Sequence, residues 1–176
     1  MSWYEERGVV VEKKFEEYVQ KYSSDLTRLC LSLCCNSADA EDLFQDTWYK
    51  AIRHYPKYNR ELPFDKWIFS ICVNTYKNSL KLSYNKNKVE FKSDEEKQAF
   101  LNSIPNSDEV GRDDYFELHR AISALPKRQK IVIVLHYFKD YSEREIAQLL
   151  NIPEGTVKSR MYAARQSLKG RLNNEE

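Results

Sequence analysis

Glycine and proline are scarce, with 4 and 5 residues in a chain of 176. A fold of many short strands needs tight turns, and turns lean on those two residues, so the shortage argues for helices. No apolar run is long enough to cross a membrane. The opening MSWYEERGVVVEKK puts acids where a secretory signal needs bases, and offers only three consecutive valines where it needs an apolar core. A cytoplasmic chain without direct membrane insertion is therefore expected. The cysteines are Cys30, Cys34, Cys35 and Cys72, with no C-x-x-C pair. Three of them fall within one predicted helix, so buried, reduced thiols are favoured over a zinc site. His54, His119 and His136 each stand alone on a predicted helix. The chain has no glycine-rich phosphate loop, no nucleophile elbow and no zinc pattern, so neither an enzyme nor a cofactor is expected. An excess of one charge is missing too: 28 Lys and Arg stand against 27 Asp and Glu. Contact with a polyanion must then come from a local patch.

With 41% hydrophobic and 31% charged residues, the composition is that of a globular chain. The hydrophobic pattern falls into two helical blocks. In the first, Phe15, Tyr18, Val19, Tyr22, Leu26, Leu29 and Leu33 recur at helical spacing. NSAD then supplies cap-type residues for a second helix. Its apolar face is Ala40, Leu43, Phe44, Thr47, Trp48, Ala51, Ile52 and Tyr55, and its opposite face holds Glu41, Asp42, Gln45, Asp46, Tyr49 and Arg53. PKYNRELPF breaks the pattern. A third helix from about Phe64 to Leu82 carries two apolar stripes, so it is either central or offers one stripe to a partner. From Ser83 to Arg112 the chain is polar and of mixed charge, which predicts a linker between domains.

The second block begins near Asp114. YFELHRAISAL predicts a helix with Phe116, Leu118, Ile122 and Leu125 mainly inward. Pro126 opens the next. Ser142 and Glu145 form an S-x-x-E capping box before Ile146, Ala147 and Leu150. Asn151 suits a left-handed turn. Val157, Met161, Ala164 and Leu168 then form a buried stripe. Helix, tight turn and helix make a helix-turn-helix. The second helix keeps Lys158, Arg160, Arg165, Lys169 and Arg171 and, after Glu154, no acid. Its exposed face is Gly155, Lys158, Ser159, Tyr162 and Gln166, the face that enters a major groove. Lysine and serine can bond base edges there, while Arg160, Arg165, Lys169 and Arg171 lie to the sides, where phosphates run. The competing reading is a solvated amphipathic helix whose last turn is basic to complement the helix dipole.

Taken together the blocks resemble a known family. ALPKRQKIVIVLHYFKDYSEREIAQLLNIPEGTVKSRMYAARQSLK is similar to region four of the extracytoplasmic-function sigma factors of bacterial RNA polymerase. DAEDLFQDTWYKAIRHY resembles their region two-two, and PFDKWIFSICVNTYKNSLK their regions two-three and two-four. The order and spacing match from about Phe15 to Leu172. The resemblance implies an all-α protein of two small helical domains: an N-terminal extension at 1–14, region two at 15–82, a linker at 83–112 and region four at 113–176. It implies that Glu41, Asp42, Gln45 and Asp46 dock on core RNA polymerase. It implies that Tyr58, Asn59, Arg60 and Glu61, in the loop before the third helix, take up a flipped base of the minus-ten element, helped by Asn74, Lys77 and Lys81. Gly155, Thr156, Lys158, Ser159, Arg160, Tyr162 and Arg165 would read the minus-thirty-five element. The implied partners are core RNA polymerase, promoter DNA and a cognate anti-sigma factor, which could hold the chain at the inner face of the membrane. The chain departs from the family pattern twice. KNSLKLSYNKNK replaces a dense arginine run, and Ala163 stands where a basic residue is usual. A free-standing helix-turn-helix regulator that binds operator DNA as a dimer is the alternative reading. A carboxylate metal site at Glu41 to Asp46 is disfavoured by the absence of a histidine at ligand spacing and by Lys50 and Arg53 beside it.

Overall fold

The computed structural model describes residues 3–79 and 112–172, with side chains described over 13–79 and 117–172. The described residues form helices and short connections. The helices are α1 (Trp3–Leu33), α2 (Ser37–His54), α3 (Phe64–Ser79), α4 (Arg112–Ser123), α5 (Lys127–Lys139), α6 (Glu143–Leu150) and α7 (Glu154–Leu172). Among the described residues no helix is long and apolar enough to cross a membrane. Most of the stretch expected as a linker lies outside the described residues; Arg112, at its end, opens α4.

Local signals set the helix ends. Asn36 caps α2, its side-chain oxygen accepting from the Asp39 amide at 2.7 Å. Asp39 in the first turn and Arg53 and His54 in the last complement the helix dipole. Pro56 starts a short 3₁₀ turn at Tyr55–Lys57. The second block is punctuated by Asp140 and Asn151, both left-handed, with φ of 54° and 52°. These residues visit that region more cheaply than most because their short polar side chains bond locally. The predicted capping box is present: Ser142 Oγ accepts from the Glu145 amide, and Glu145 accepts from the Ser142 amide at 3.0 Å.

In the first block α1, α2 and α3 pack on one another. Leu26, Leu29, Leu33, Ala51, Ile68, Cys72 and Val73 are fully buried at their centre. Phe64, at the first position of α3, is the hub of an aromatic cluster. It stacks on Tyr18 at 4.0 Å and meets Tyr22 at 5.4 Å, Trp67 at 5.3 Å and Tyr58 at 5.5 Å. Both stripes of α3 are used internally. Ile68, Cys72 and Thr75 are buried on one, and Phe69, Val73 and Tyr76 on the other.

Three expectations need correction. Ile52 is 55% exposed. The buried line of α2 is Ala40, Leu43, Thr47 and Ala51; on the neighbouring line Phe44 and Trp48 pack partly against the core, and Ile52, one turn further, extends beyond it. Leu118 is exposed as well, and His119 beside it is the buried residue of that turn. Finally, α1 ends at Leu33, so Cys34 and Cys35 follow the helix rather than belong to it. Cys30, Cys34 and Cys72 are buried and Cys35 is partly so, all as free thiols.

The two blocks share one core. α5 is buried along Ile131, Val132, Ile133, Val134 and Leu135 because it lies between α1 and α7. A helix covered from several directions is apolar on several sides. Polar contacts cross the same seam. The last turn of α1 has no basic residue of its own. The second block supplies the partners: His119 donates from Nε2 to the Leu31 carbonyl at 2.8 Å, and Lys130 Nζ reaches the Leu33 carbonyl at 3.5 Å. Lys139 Nζ donates to the Asp25 carbonyl at 2.9 Å and lies 4.4 Å from the centre of the Phe69 ring. Lys66 of α3 pairs with Glu145 of the capping box. That pair, then the Ser142 amide and hydroxyl, holds the Glu145 carboxyl down to about 2.

Burial pushes the His119 pKa below the ordinary 6.5, with the Leu31 carbonyl pulling the other way. The fold holds the neutral ring, whereas the unfolded chain takes up a proton as the pH falls through about 6.5. This contribution to stability is complete above that pH and is lost below it. Urea unfolding at about pH 7.5 and 5.5 should show lower stability at the lower value, and His119→Gln should flatten the difference. Ser142→Ala should cost about 1 kcal/mol in the same assay through loss of the cap. Lys66→Met, at an exposed pair, should cost less than about 1 kcal/mol.

Candidate nucleic-acid interface

The turn between α6 and α7 fixes how α7 is presented. At Asn151 the chain turns left-handed, and the Ile152 amide bonds back to the Ala147 carbonyl at 3.0 Å. Ala147 is small and buried, which lets the two helices approach. Val157, Met161 and Ala164 then lock α7 from behind, at 0%, 1% and 0% exposure. That burial turns Gly155, Lys158, Ser159, Tyr162 and Gln166 outward, as the sequence pattern predicts. Tyr162 is 67% exposed. A Cβ added at Gly155 would meet nothing within 4 Å, so the fold itself does not need glycine there. What glycine provides at that position is a low surface that another backbone can approach closely.

The side chains on this helix differ in how free they are. Lys158 Nζ is 2.9 Å from Glu154 and 4.0 Å from Glu143. Glu154 raises the Lys158 pKa, so the ammonium stays charged, but part of its field is already neutralised. Ser159 Oγ donates to the Thr156 carbonyl at 3.0 Å, and Thr156 is half-buried. Arg165 donates from Nε to the Tyr137 hydroxyl at 3.0 Å. Tyr137, itself 55% exposed, thereby aims the guanidinium, a role the sequence reading did not assign. Only its place just after the apolar run Ile131–Leu135 hints at it. Arg160 points elsewhere. At 100° per residue it lies roughly 140° round from the outward face. It sits half-buried against Arg128 of α5.

The loop before α3 holds the second group of candidates. Tyr58 is half-buried, its ring 4.6 Å from Trp67 and its hydroxyl donating to the Leu62 carbonyl. Asn59 Oδ1 accepts from the Glu61 amide at 3.0 Å. Tyr58 and Asn59 thus shape the loop, and Arg60 and Glu61 stand exposed on it. Leu62 is also exposed, at 53%, an apolar tip beside the polar candidates that the sequence reading passed over. On α3, Asn74 is exposed and Lys77 donates to its Oδ1 at 3.4 Å. Lys81 lies outside the described residues.

The acidic candidates stay together on α2. Glu41, Asp42, Gln45 and Asp46 are all exposed, and Gln45 Nε2 donates to Glu41 at 3.3 Å. Further along the same face, Arg53 lies over the Tyr49 ring at 5.6 Å. The acids and the basic face of α7 are therefore on separate halves of the molecule.

Comparison with known proteins agrees with this architecture. Residues 18–83 match the family described as Sigma-70 region 2, and residues 115–168 match that described as Sigma-70, region 4. The RNA polymerase sigma factor SigV of Bacillus subtilis is 29% identical over 161 residues, covering 90% of this chain and 90% of its own. The ECF RNA polymerase sigma factor SigW of the same organism is 27% identical over 169 residues, covering 90% of this chain and 88% of its own. In fold, the chain is similar to the sigma factor RpoE of Bartonella quintana, solved in complex with the anti-sigma factor NepR. The TM-score is 0.69 at 24% identity, over 93% of this chain and 99% of that one. With both sigma-70 regions in order, and with relatives of this kind along nearly its whole length, the chain belongs to the extracytoplasmic-function sigma factors.

Proposed function

We propose that the two blocks divide the work of promoter recognition. The first, at 15–82, binds core RNA polymerase and the minus-ten element; the second, at 113–176, binds the minus-thirty-five element; residues 83–112 tether them. The observation that carries this reading is the outward face of α7, where Gly155, Lys158, Ser159 and Tyr162 lie together on a helix locked from behind by Val157, Met161 and Ala164. Lysine donates to guanine edges and serine donates or accepts, so these side chains supply direct readout. Arg165, held by Tyr137, supplies a phosphate contact that positions the helix. Thr156 and Arg160 were the remaining candidates on this helix. Thr156 supports it from its first turn, and Arg160 reaches DNA only by swinging out from beside Arg128.

The acidic face of α2, Glu41, Asp42, Gln45 and Asp46, docks on a basic surface of core polymerase. Complementary charge there speeds encounter and fixes orientation. The loop at Tyr58 to Glu61 receives an unstacked base of the minus-ten strand. Arg60 and Glu61 face it, on a frame built by Tyr58 and Asn59, and Asn74, Lys77 and Lys81 follow the strand. Opening the duplex then needs no hydrolysis, because binding of released bases offsets the cost of unstacking them. The factor acts as a binding protein rather than a catalyst. It works in the cytoplasm, where a cognate anti-sigma factor covers these surfaces until they are needed and can hold the chain at the inner face of the membrane.

In a pull-down with core RNA polymerase, the wild-type chain should bind stoichiometrically, and Asp42→Ala with Gln45→Ala should lose binding while the helical circular dichroism stays unchanged. Retention of full binding by the double variant would remove the α2 face from the interface. For the DNA side, Lys158→Ala should cost about 1–3 kcal/mol at its preferred minus-thirty-five base and relax the preference at that position. Arg165→Ala should instead weaken all promoters about equally and lower the slope of affinity against log salt by about one. Run-off transcription with holoenzyme on a panel of single-base promoter variants, at several salt concentrations, reads both.

A further inference from the structure

A cavity of about 480 Å³ opens where the end of α3, the start of α5, the α6–α7 turn and α7 meet. Lys77, Lys127, Arg128 and Arg160 line it on the polar side, and Ile131, Leu150 and Ile152 on the apolar side. Among the described residues no carboxylate lines it. Among the described residues, no ion pair joins any of the four cations to an acid.

The placing of these charges is unfavourable as it stands. Lys127 and Arg128 occupy the first turn of α5, which contains no acid and whose N-cap, Pro126, makes no side-chain bond. Helix N-termini carry partial positive charge and favour anions, so cations there oppose the dipole. Arg160 is half-buried, and both its burial and the neighbouring Arg128 work against its charge. Arginine keeps its charge in proteins regardless. The repulsion therefore persists, and an anion of several charges would relieve it. A planar, delocalised guanidinium suits phosphate oxygens in bidentate fashion, and lysine suits them as a point charge.

The size and the apolar wall narrow the class. The cavity falls within the range of small-molecule sites, and such sites combine an apolar lining with a few convergent polar groups. A single inorganic phosphate would leave the apolar side uncovered, where Ile152 is half-buried and Ile131 and Leu150 show only 4% and 7% of their surface. We propose that this cavity binds a polyphosphate-bearing small molecule of the nucleoside triphosphate class, with its phosphates on Lys77, Lys127, Arg128 and Arg160 and its base against Ile131, Leu150 and Ile152. Lys77 belongs to the first block and the other three cations to the second, so the ligand ties the two blocks together. It also occupies Lys77 and Arg160, two of the candidate promoter contacts, and so competes with DNA for them.

The test is isothermal titration of the full chain with ATP in the absence of magnesium at about 150 mM salt, where weak surface attraction is screened. Inorganic tripolyphosphate and a promoter-free DNA duplex are titrated alongside. Saturable binding of one ATP per chain is expected, with competition from tripolyphosphate. Lys127→Gln with Arg128→Gln should weaken ATP roughly tenfold or more, because charge-assisted bonds are the strong ones. Arg128→Gln alone, at an exposed position, gives a second readout if the double variant unfolds. Lys77→Gln should weaken ATP as well, since the site spans both blocks. Absence of saturable ATP binding, or equal ATP binding by wild type and Arg128→Gln, overturns the proposal. So does a loss of duplex affinity in the Arg128 variant without any ATP binding, which would assign these cations to the DNA backbone instead.

Discussion

The arrangement of this molecule depends on how the end of α1 is satisfied. A helix leaves its last carbonyls without partners inside the helix, and cations are favoured there. α1 brings no basic residue to that end. The carbonyls of Leu31 and Leu33 instead meet His119 and Lys130, which come from the other block. Lys130 is 2% exposed, a placing a lysine tolerates only with partners. Around these bonds close the faces of α1 and α5, and with them a core that runs from Phe15 through Val132 to Ala164. Each block thus completes a need left open by the other.

Much of each block is legible from neighbouring residues. The Ser142–Glu145 box, the left-handed Asn151 and the stripe of Val157, Met161 and Ala164 are short-range patterns, and the structure bears them out. The exposure of Glu41, Asp42, Gln45 and Asp46 on α2 is legible for the same reason, although the same periodicity misplaced Ile52. The seam between the blocks is not. His119 and Leu31 lie 88 positions apart, and Lys139 and the Asp25 carbonyl 114 apart. Periodicity has no means of showing that a lysine or histidine will be the buried member of its turn. Leu118 illustrates this: hydropathy favours it over His119, but the carbonyl waiting at Leu31 reverses the order. The same limit applies to Arg160, whose basic character was plain and whose direction depends on Arg128 of another helix.

Charge is distributed with similar economy. The chain is near neutral, and among the described residues several bases are already engaged. Lys158 leans on Glu154 and Glu143, and Lys139 lies half-buried beside Asp25 and Phe69. A positive surface that is partly paired attracts DNA less strongly than its residue count implies. Exchange of a glutamate for a base edge or phosphate is then a substitution rather than a simple gain.

The scarcity of glycine has a last consequence at the two ends of α6. Both left-handed positions there, Asp140 and Asn151, carry side chains. Such residues have fewer conformations open to them in the unfolded chain than glycine has, so less freedom is lost when the turn forms. The short helix between them is pinned at each end by a residue with limited alternatives. The turn at Asn151 thereby helps set the angle between α6 and α7.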